Sequence, residues 1–215
     1  MITFICVCVN YSDYLQETLK HNSLIFDNIF IVTTPSDDKT KEIINQYPNI
    51  KYIETDIFYK DSCPFNKGAG LNLGLQNIEK KDWLLIGDAD CIYPNSLQNL
   101  TTDLDKNCLY GMRREIVNSP EVLGDILTGK YKPKPRLEKA MHYTPGYFQL
   151  FNMSAEKFLN KSINYPEFPT AQRVDRWFAK YNFAHNERKI IDNEFVIHLG
   201  PTIINWSGRK SDLWR

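Results

Sequence analysis

Asp82-Trp83-Leu84-Leu85-Ile86-Gly87-Asp88-Ala89-Asp90 is a short apolar run that stops abruptly at two carboxylates. Continuous, brief and bounded by polar residues, it predicts a buried strand. Side chains two apart on a strand share a face, so Asp88 and Asp90 are expected side by side at its carboxyl end. In open α/β sheets that edge is where ligands bind. Two adjacent carboxylates repel, and a divalent cation holding a diphosphate is one natural compensation. A solvated Asp-x-Asp turn behind a core strand is the plainer alternative.

The chain leading into this run alternates strand and helix. Strands are predicted at Ile2 to Val9, Asn28 to Thr34 and Ile50 to Glu54, around a helix from Asp13 to Lys20 and another capped at Ser36-Asp37-Asp38 and stopped before Pro48. A glycine-rich but helix-periodic segment, Phe65 to Ile78, precedes the aspartate strand. This β-α-β order implies a mainly parallel sheet flanked by helices. Beyond it, the pattern predicts a short helix through Leu97, Leu100 and Leu104, and strands at Cys108 to Ile116 and Tyr147 to Asn152. A short helix at Ala155 to Leu159, a helix at Thr170 to Tyr181 and a last strand at Ile190 to His198 follow. Pro120 to Pro145, proline-bearing and charged, is expected to be an irregular, mobile loop.

A chain of 215 residues is long enough for one domain with a large core. The reading is a single domain over 1–215 in two abutting lobes, 1–92 and 93–215, the second ending in a carboxyl-terminal loop. Net charge is zero, from 26 basic and 26 acidic residues, and no clustered basic face argues for nucleic acid as a partner. The basic run at Lys130 to Arg136 is broken by Pro133 and Pro135 and reads as an exposed loop. Five cysteines, an odd number without a Cys-x-x-Cys pair, argue against a zinc site or disulfide framework and suit a reducing, cytoplasmic setting. No apolar run reaches membrane-spanning length and no leader pattern precedes the first strand.

Two further features converge on the aspartates. Gly68, Ala69 and Gly70 open the helix before them, and small residues there allow a ligand close to the backbone, or else tight packing of helix on sheet. His198 ends an apolar strand. A cation held by Asp90 needs more protein ligands, and mixed carboxylate and imidazole ligation suits manganese, with magnesium as the alternative.

The order of these features resembles nucleotide-sugar glycosyltransferases of the GT-A fold, closest to the family 2 type. Lys67 through Asn72-Leu73-Gly74, then Ile86-Gly87-Asp88-Ala89-Asp90, is similar to that family's lysine- and alanine-rich helix and its Asp-x-Asp strand. Gly146 to Phe151 with Phe158 resembles the acceptor-side strand and helix. Val174-Asp175-Arg176-Trp177-Phe178 stands where the family carries a Glu-Asp pair, with Val174 replacing the glutamate, and Leu71 stands where many members have arginine. His198-Leu199-Gly200 resembles the carboxyl-terminal metal histidine.

The resemblance implies a metal-dependent hexosyl transfer from a nucleotide-diphosphate sugar, a uridine one, to a glycan or glycoprotein acceptor. It implies that Val9, Asn10 and Tyr11 face the base, with Thr33, Thr34 and Asp37 at the same edge. Lys67 meets a phosphate or the base pocket, and Asn72 belongs to the same donor-side helix. Asp88 and Ala89 lie against the ribose, Asp88 touching it or a metal-bound water. Asp90 and His198 ligate Mn2+ (or Mg2+), and Arg209 or Lys210 folds over the diphosphate. Asp175 is the base if configuration inverts, its carboxyl lowered by the helix start; if configuration is retained it holds a sugar hydroxyl. A sugar-1-phosphate nucleotidyltransferase is the competing enzyme, but Asn10-Tyr11-Ser12-Asp13 stands where those enzymes carry a glycine-rich loop. A non-catalytic nucleotide- or carbohydrate-binding module is the third reading.

Overall fold

The computed structural model describes residues 1–135, 144–159, 162–201, 205–209 and 213–214. Four parallel strands build its first half: β1 (Ile2–Val7), β2 (Asn28–Thr33), β3 (Ile50–Glu54) and β4 (Trp83–Asp88). Helices α1 (Ser12–Asn22), α2 (Asp38–Ile44) and α3 (Lys67–Gln76) connect them. The later elements are β5 (Cys91–Ile92), α4 (Leu97–Leu100), β6 (Leu109–Val117), α5 (Pro120–Leu127), β7 (Phe148–Asn152), α6 (Glu156–Leu159), α7 (Val174–Asn182) and β8 (Arg188–Leu199). All eight strands join one sheet in the order β3-β2-β1-β4-β7-β6-β8-β5. Pairing is parallel from β3 through β4 and between β6 and β8, and antiparallel for β4–β7, β7–β6 and β5–β8. This is the mixed, mainly parallel sheet flanked by helices that the strand and helix pattern implies.

The central strands are buried on both faces. One side packs Phe4, Ile31, Leu85 and Phe148 under α1 and α2; the other packs Ile5, Val32, Leu84, Ile86 and Phe151 under α3 and α7. Two faces to cover explain why these strands read as continuous apolar runs instead of alternating ones. Because β2 and β3 lie on one side of β1 and β4 on the other, strand order reverses between β1 and β4. Val7 pairs with Asp88 there, and a crevice opens beyond their carboxyl ends.

Several expectations are corrected. β4 ends at Asp88, and Asp90 lies in the turn leading to β5, so strand alternation does not place the two carboxylates. The turn does, with Leu199 N–H donating to Asp90 O at 2.8 Å. The irregular loop expected from Pro120 begins instead as helix α5: Ser119 caps it by accepting from Val122 N–H, and Pro120 occupies a first-turn position that has no donor to lose. Residues 136–143 of that loop, Lys210 and the other residues outside the ranges above are not described. The helix expected through Leu104 stops after Leu100. The one expected from Thr170 starts only at Val174, because Arg173 adopts a left-handed conformation (φ 64°) that interrupts helical geometry. Among the described residues no helix is long and apolar enough to cross a membrane.

The glycines of α3 serve packing. A Cβ on Gly68 would lie 2.0 Å from Pro166 O, and one on Gly70 2.1 Å from the Phe58 ring. Asn72 fastens the same helix to the segment beyond, donating to Tyr165 O and Glu167 Oε1 while accepting from Tyr165 N–H. Gly68→Ala is therefore expected to cost about 1–3 kcal/mol of stability, since a backbone carbonyl must move. Denaturant unfolding checks this, and an unchanged midpoint would show that the Pro166 segment yields freely.

Candidate active site

A cleft of about 450 Å3 opens at the carboxyl ends of β1 and β4. Val9, Asn10, Tyr11, Lys67, Asp88, Ala89, Asp90, Asp175, His198 and Arg209 all line it. Residues 166 positions apart in sequence, from Val9 to Asp175, thus face one space. Asn10 turns the chain off β1 in a left-handed conformation (φ 59°), which asparagine tolerates better than most residues. Its N–H donates to Asp37 Oδ2 at 2.7 Å.

Lys67 sits in the first turn of α3, behind the cap formed by Asn66, which accepts from Ala69 N–H at 3.0 Å. From there its ammonium pairs with Asp88. Leu71, one helical turn on, also faces the cleft, whereas Asn72 is rotated away. Desolvation is the largest single effect on Asp88 and pushes it upward, but the charge and hydrogen bond of Lys67, together with the His198 and Arg114 charges, outweigh it and hold the carboxyl below its ordinary value. The same pairing, against the opposing effect of burial, holds Lys67 above its ordinary value. Asp90 goes the other way. Burial and then the neighbouring Asp88 charge raise it, with His198 opposing.

His198 Nε2 lies 3.7 Å from Asp90 Oδ1. Its Nδ1 is buried without a hydrogen-bond partner among the described residues. The ring is carried by β8, where the parallel register with β6 jumps: Met112 faces Ile191, but Arg113 faces Phe195. That irregularity sets His198 opposite Ile116 and, across the antiparallel pair, opposite Cys91.

Asp175, in the first turn of α7, accepts from Gly146 N–H through Oδ2 at 2.8 Å. The helix start was expected to lower its carboxyl; it is raised instead, because burial outweighs the N–H donors of Arg176 and Gly146. Asp175 stays in place through its backbone as well, since Gln149 Nε2 donates to Asp175 O at 3.1 Å. Trp177 stacks on Tyr181 at 5.2 Å, while Val174 and Phe178 carry the burial of α7.

Four candidates stand behind the wall. Thr33, Thr34, Asp37 and Asn72 do not line the cleft. Asp37 caps α2, accepting from Thr40 N–H and the Thr40 hydroxyl besides Asn10. Thr34 exchanges a hydrogen bond with Ser36 at 3.2 Å. Thr33, Thr34 and Asp37 end β2 and its loop, one strand removed from the reversal between β1 and β4, and Asn72 lies on α3. Arg209 reaches the cleft but forks onto Asp13, with Nη1 donating to Asn10 O at 2.6 Å and the guanidinium 5.1 Å and 4.8 Å from the Tyr11 and Tyr14 rings. Asn205 donates to the Tyr11 hydroxyl at 2.7 Å, so the tail crosses the end of β1.

The cleft also contains residues that the sequence reading did not single out: Tyr14, Arg114, Gln149, Tyr165, Arg173 and Trp206. Two carried a signal. Arg114 lies in an otherwise largely apolar strand, with its guanidinium 4.7 Å from the Tyr147 ring centre. Gln149 is a fully buried amide in mid-strand, bonded to Thr144 O and the Tyr165 hydroxyl. Arg173 is a strained arginine at the rim, a feature no local sequence pattern announces.

Comparison with known proteins accords with this geometry. Residues 3–159 match the family model described as Glycosyl transferase family 2, a span that contains Lys67, Asp88 and Asp90 and stops short of Asp175 and His198. Poly-beta-1,6-N-acetyl-D-glucosamine synthases of two Staphylococcus aureus strains, MSSA476 and MW2, are 30% identical over 169 residues, covering 72% of this chain. The chain spans only 40% of the length of these relatives.

Among solved structures, glucosyl-3-phosphoglycerate synthase from Mycobacterium tuberculosis, in complex with Mn2+, uridine diphosphate and phosphoglyceric acid, shares the fold at a TM-score of 0.60 and 11% identity. The match covers 94% of this chain and 71% of that one. Mannosyl-3-phosphoglycerate synthase from Rubrobacter xylanophilus gives 0.56 at 14%, covering 89% and 65%. A 4-diphosphocytidyl-2C-methyl-D-erythritol synthase from Anaerococcus prevotii gives 0.53 at 15%, covering 89% and 86%, so the architecture also serves nucleotidyl transfer. At these identities the structures establish fold alone, and the family is shown by the sequence match: this chain belongs to glycosyl transferase family 2.

Proposed function

We propose that the protein is a divalent-metal-dependent hexosyl transferase that uses a uridine-diphosphate sugar and delivers the sugar to a hydroxyl group of a glycan. The observation that carries this reading is the convergence of Asp88, Asp90, His198 and Asp175 on one cleft at the β1/β4 reversal. A poly-N-acetylglucosamine synthase among the relatives supports a glycan acceptor, and a structural neighbour with bound Mn2+ and uridine diphosphate supports the donor type. Five free thiols favour a cytoplasmic setting.

The residues fit a cation. Asp90 and His198 offer a carboxylate oxygen and an imidazole nitrogen within a cluster less than 4.8 Å across, and His198 has a buried ring nitrogen without a partner among the described residues. These two would hold the ion, with Asp88 beside them. Its contribution when bound is to stabilise negative charge on the departing diphosphate.

The chain's own groups do the rest. Lys67 fixes Asp88 and keeps it ionised at the ribose side of the cleft. Tyr11 and Trp206 line the cleft's edge. Asp175, held by Gly146 N–H through Oδ2, takes the acceptor hydroxyl's proton as the sugar bond forms. Burial raises its carboxyl toward the working pH, which makes it a stronger base than an exposed aspartate. This assigns inversion of configuration. The nucleotidyltransferase reading loses ground because Asn10-Tyr11-Ser12-Asp13, where a glycine-rich phosphate loop would be needed, is occupied by the Asp13–Arg209 pair and the tilted contact of the Tyr11 and Tyr14 rings.

Asp90→Asn and His198→Ala are each expected to weaken binding of uridine diphosphate with manganese by at least about tenfold, measured by calorimetry. Unchanged affinity in either variant removes that residue from the metal site. Asp175→Asn is expected to lose at least about a hundredfold in turnover with donor affinity little changed, and the wild-type product should be inverted. A retained anomeric configuration overturns the base assignment.

The raised carboxyl of Asp175 also has a stability signature. A folded-state value above the unfolded one stabilises the fold while the group is protonated. That contribution disappears as pH rises from the ordinary carboxylate range through the folded value. Asp175→Asn, unable to ionise, is expected to melt above wild type at pH 7, with the gap closing below about pH 4. Equal melting at both pH values would show that burial does not strain this carboxylate.

A further inference from the structure

Beside the proposed metal ligands lies a third donor. β5 and β8 run antiparallel with Cys91 directly opposite His198, and directly opposed residues present their side chains on the same face of a sheet. Cys91 Sγ donates to Asp90 Oδ1 at 3.6 Å, close to the 3.7 Å that separates His198 Nε2 from the same oxygen. Thiol, carboxylate and imidazole donors all lie within 4.8 Å of one another. The other cysteines are not placed in this way. Cys8 contacts Thr40 and Cys108 contacts Asp105, and among the described residues only Cys91 joins such a cluster.

We propose that Cys91 Sγ is a third protein ligand to the cation, and that this chain's site therefore favours zinc, cobalt or ferrous ions over magnesium. The inference rests on the reading that the cation sits at Asp90 and His198. A carboxylate and an imidazole alone accept hard and intermediate ions alike. A thiolate is soft, and adding it shifts preference toward metals that bind sulfur well. On binding, the S–H proton leaves to water and the sulfur lone pair takes up the cation, as for any thiol ligand. If Cys91 acts only as a small core hydrophobe, its contact with Asp90 does not change the choice of metal.

Cobalt titration into the full chain with uridine diphosphate present separates the possibilities. Every arm carries Cys63→Ser, which removes the one thiol that is not fully buried. Bound cobalt with both visible ligand-field bands and a near-ultraviolet thiolate charge-transfer band supports the proposal, provided Cys91→Ser abolishes the second and keeps the first. Competition titrations should show Cys91→Ser losing at least about tenfold in zinc affinity with magnesium affinity within about twofold of wild type. Ligand-field bands without charge transfer in the wild type overturn the thiolate ligand while leaving Asp90 and His198 in place. No cobalt signal at all overturns the metal site and this inference together. The wild-type spectrum alone decides the matter if Cys91→Ser fails to fold.

Discussion

The parallel pairing of β1 with β4 is the constraint on which the rest of the site depends. It aligns Val7 with Asp88, ends both strands at the same level and puts the reversal of strand order between them. Everything polar in the cleft is arranged around that seam. Asn10 and Tyr11 leave one strand, while Asp88, Ala89 and Asp90 leave the other. On the far side of β4 the sheet turns antiparallel, so β7 runs back alongside it from Gly146. That change of direction brings the start of β7, and with it the Asp175 contact, to the same edge where β1 and β4 end.

Three carboxylates share this cleft, and their surroundings push them apart. Asp88 is held down by Lys67; Asp90 and Asp175 are both pushed up by burial. Groups of one chemical type acquire different work when their environments differ in this way. A low-lying carboxylate stays ionised as a fixed charge. A raised one next to an imidazole is under-compensated, which is the condition a cation relieves. A raised one away from that pair, tethered through a single oxygen, retains the capacity to take a proton.

The closeness of α3 to its surroundings explains why the lysine can do this. Gly68 and Gly70 let the helix approach Pro166 and Phe58 more closely than any side chain would allow. Asn72 then ties it to Tyr165, whose ring stacks on Phe178 of α7 at 3.9 Å. The helix that carries Lys67 and the helix that carries Asp175 are thus braced against each other through one aromatic contact. At the opposite rim, Arg209 locks the tail onto Asp13 and the carbonyl of Asn10. Both rims of the cleft are thus fastened to elements distant in the chain.

Local sequence was enough for the elements whose physics is local. The apolar runs of β1 to β4, buried on both faces, and the caps and periodicity between them specified a mainly parallel sheet and a carboxylate edge. The abrupt stop at Asp88 and the histidine near the end of β8 marked the edge where the cleft opens. Where neighbours distant in the chain decide, sequence alone went astray. Gly68 reads equally as a ligand cradle or a packing contact until Pro166 is seen against it. Asp175 reads as a helix-start aspartate with a lowered carboxyl until burial is counted. Thr33, Thr34, Asp37 and Asn72 lie near the right edge in sequence, yet only the order of strands and the rotation of α3 place them behind the wall. What the sequence by itself determined was which residues form strands and which carry charge at their ends, because those follow from hydrophobic pattern. Which charges meet, and with what affinity for protons, was decided by tertiary structure, because desolvation and distance exist only once the chain has folded.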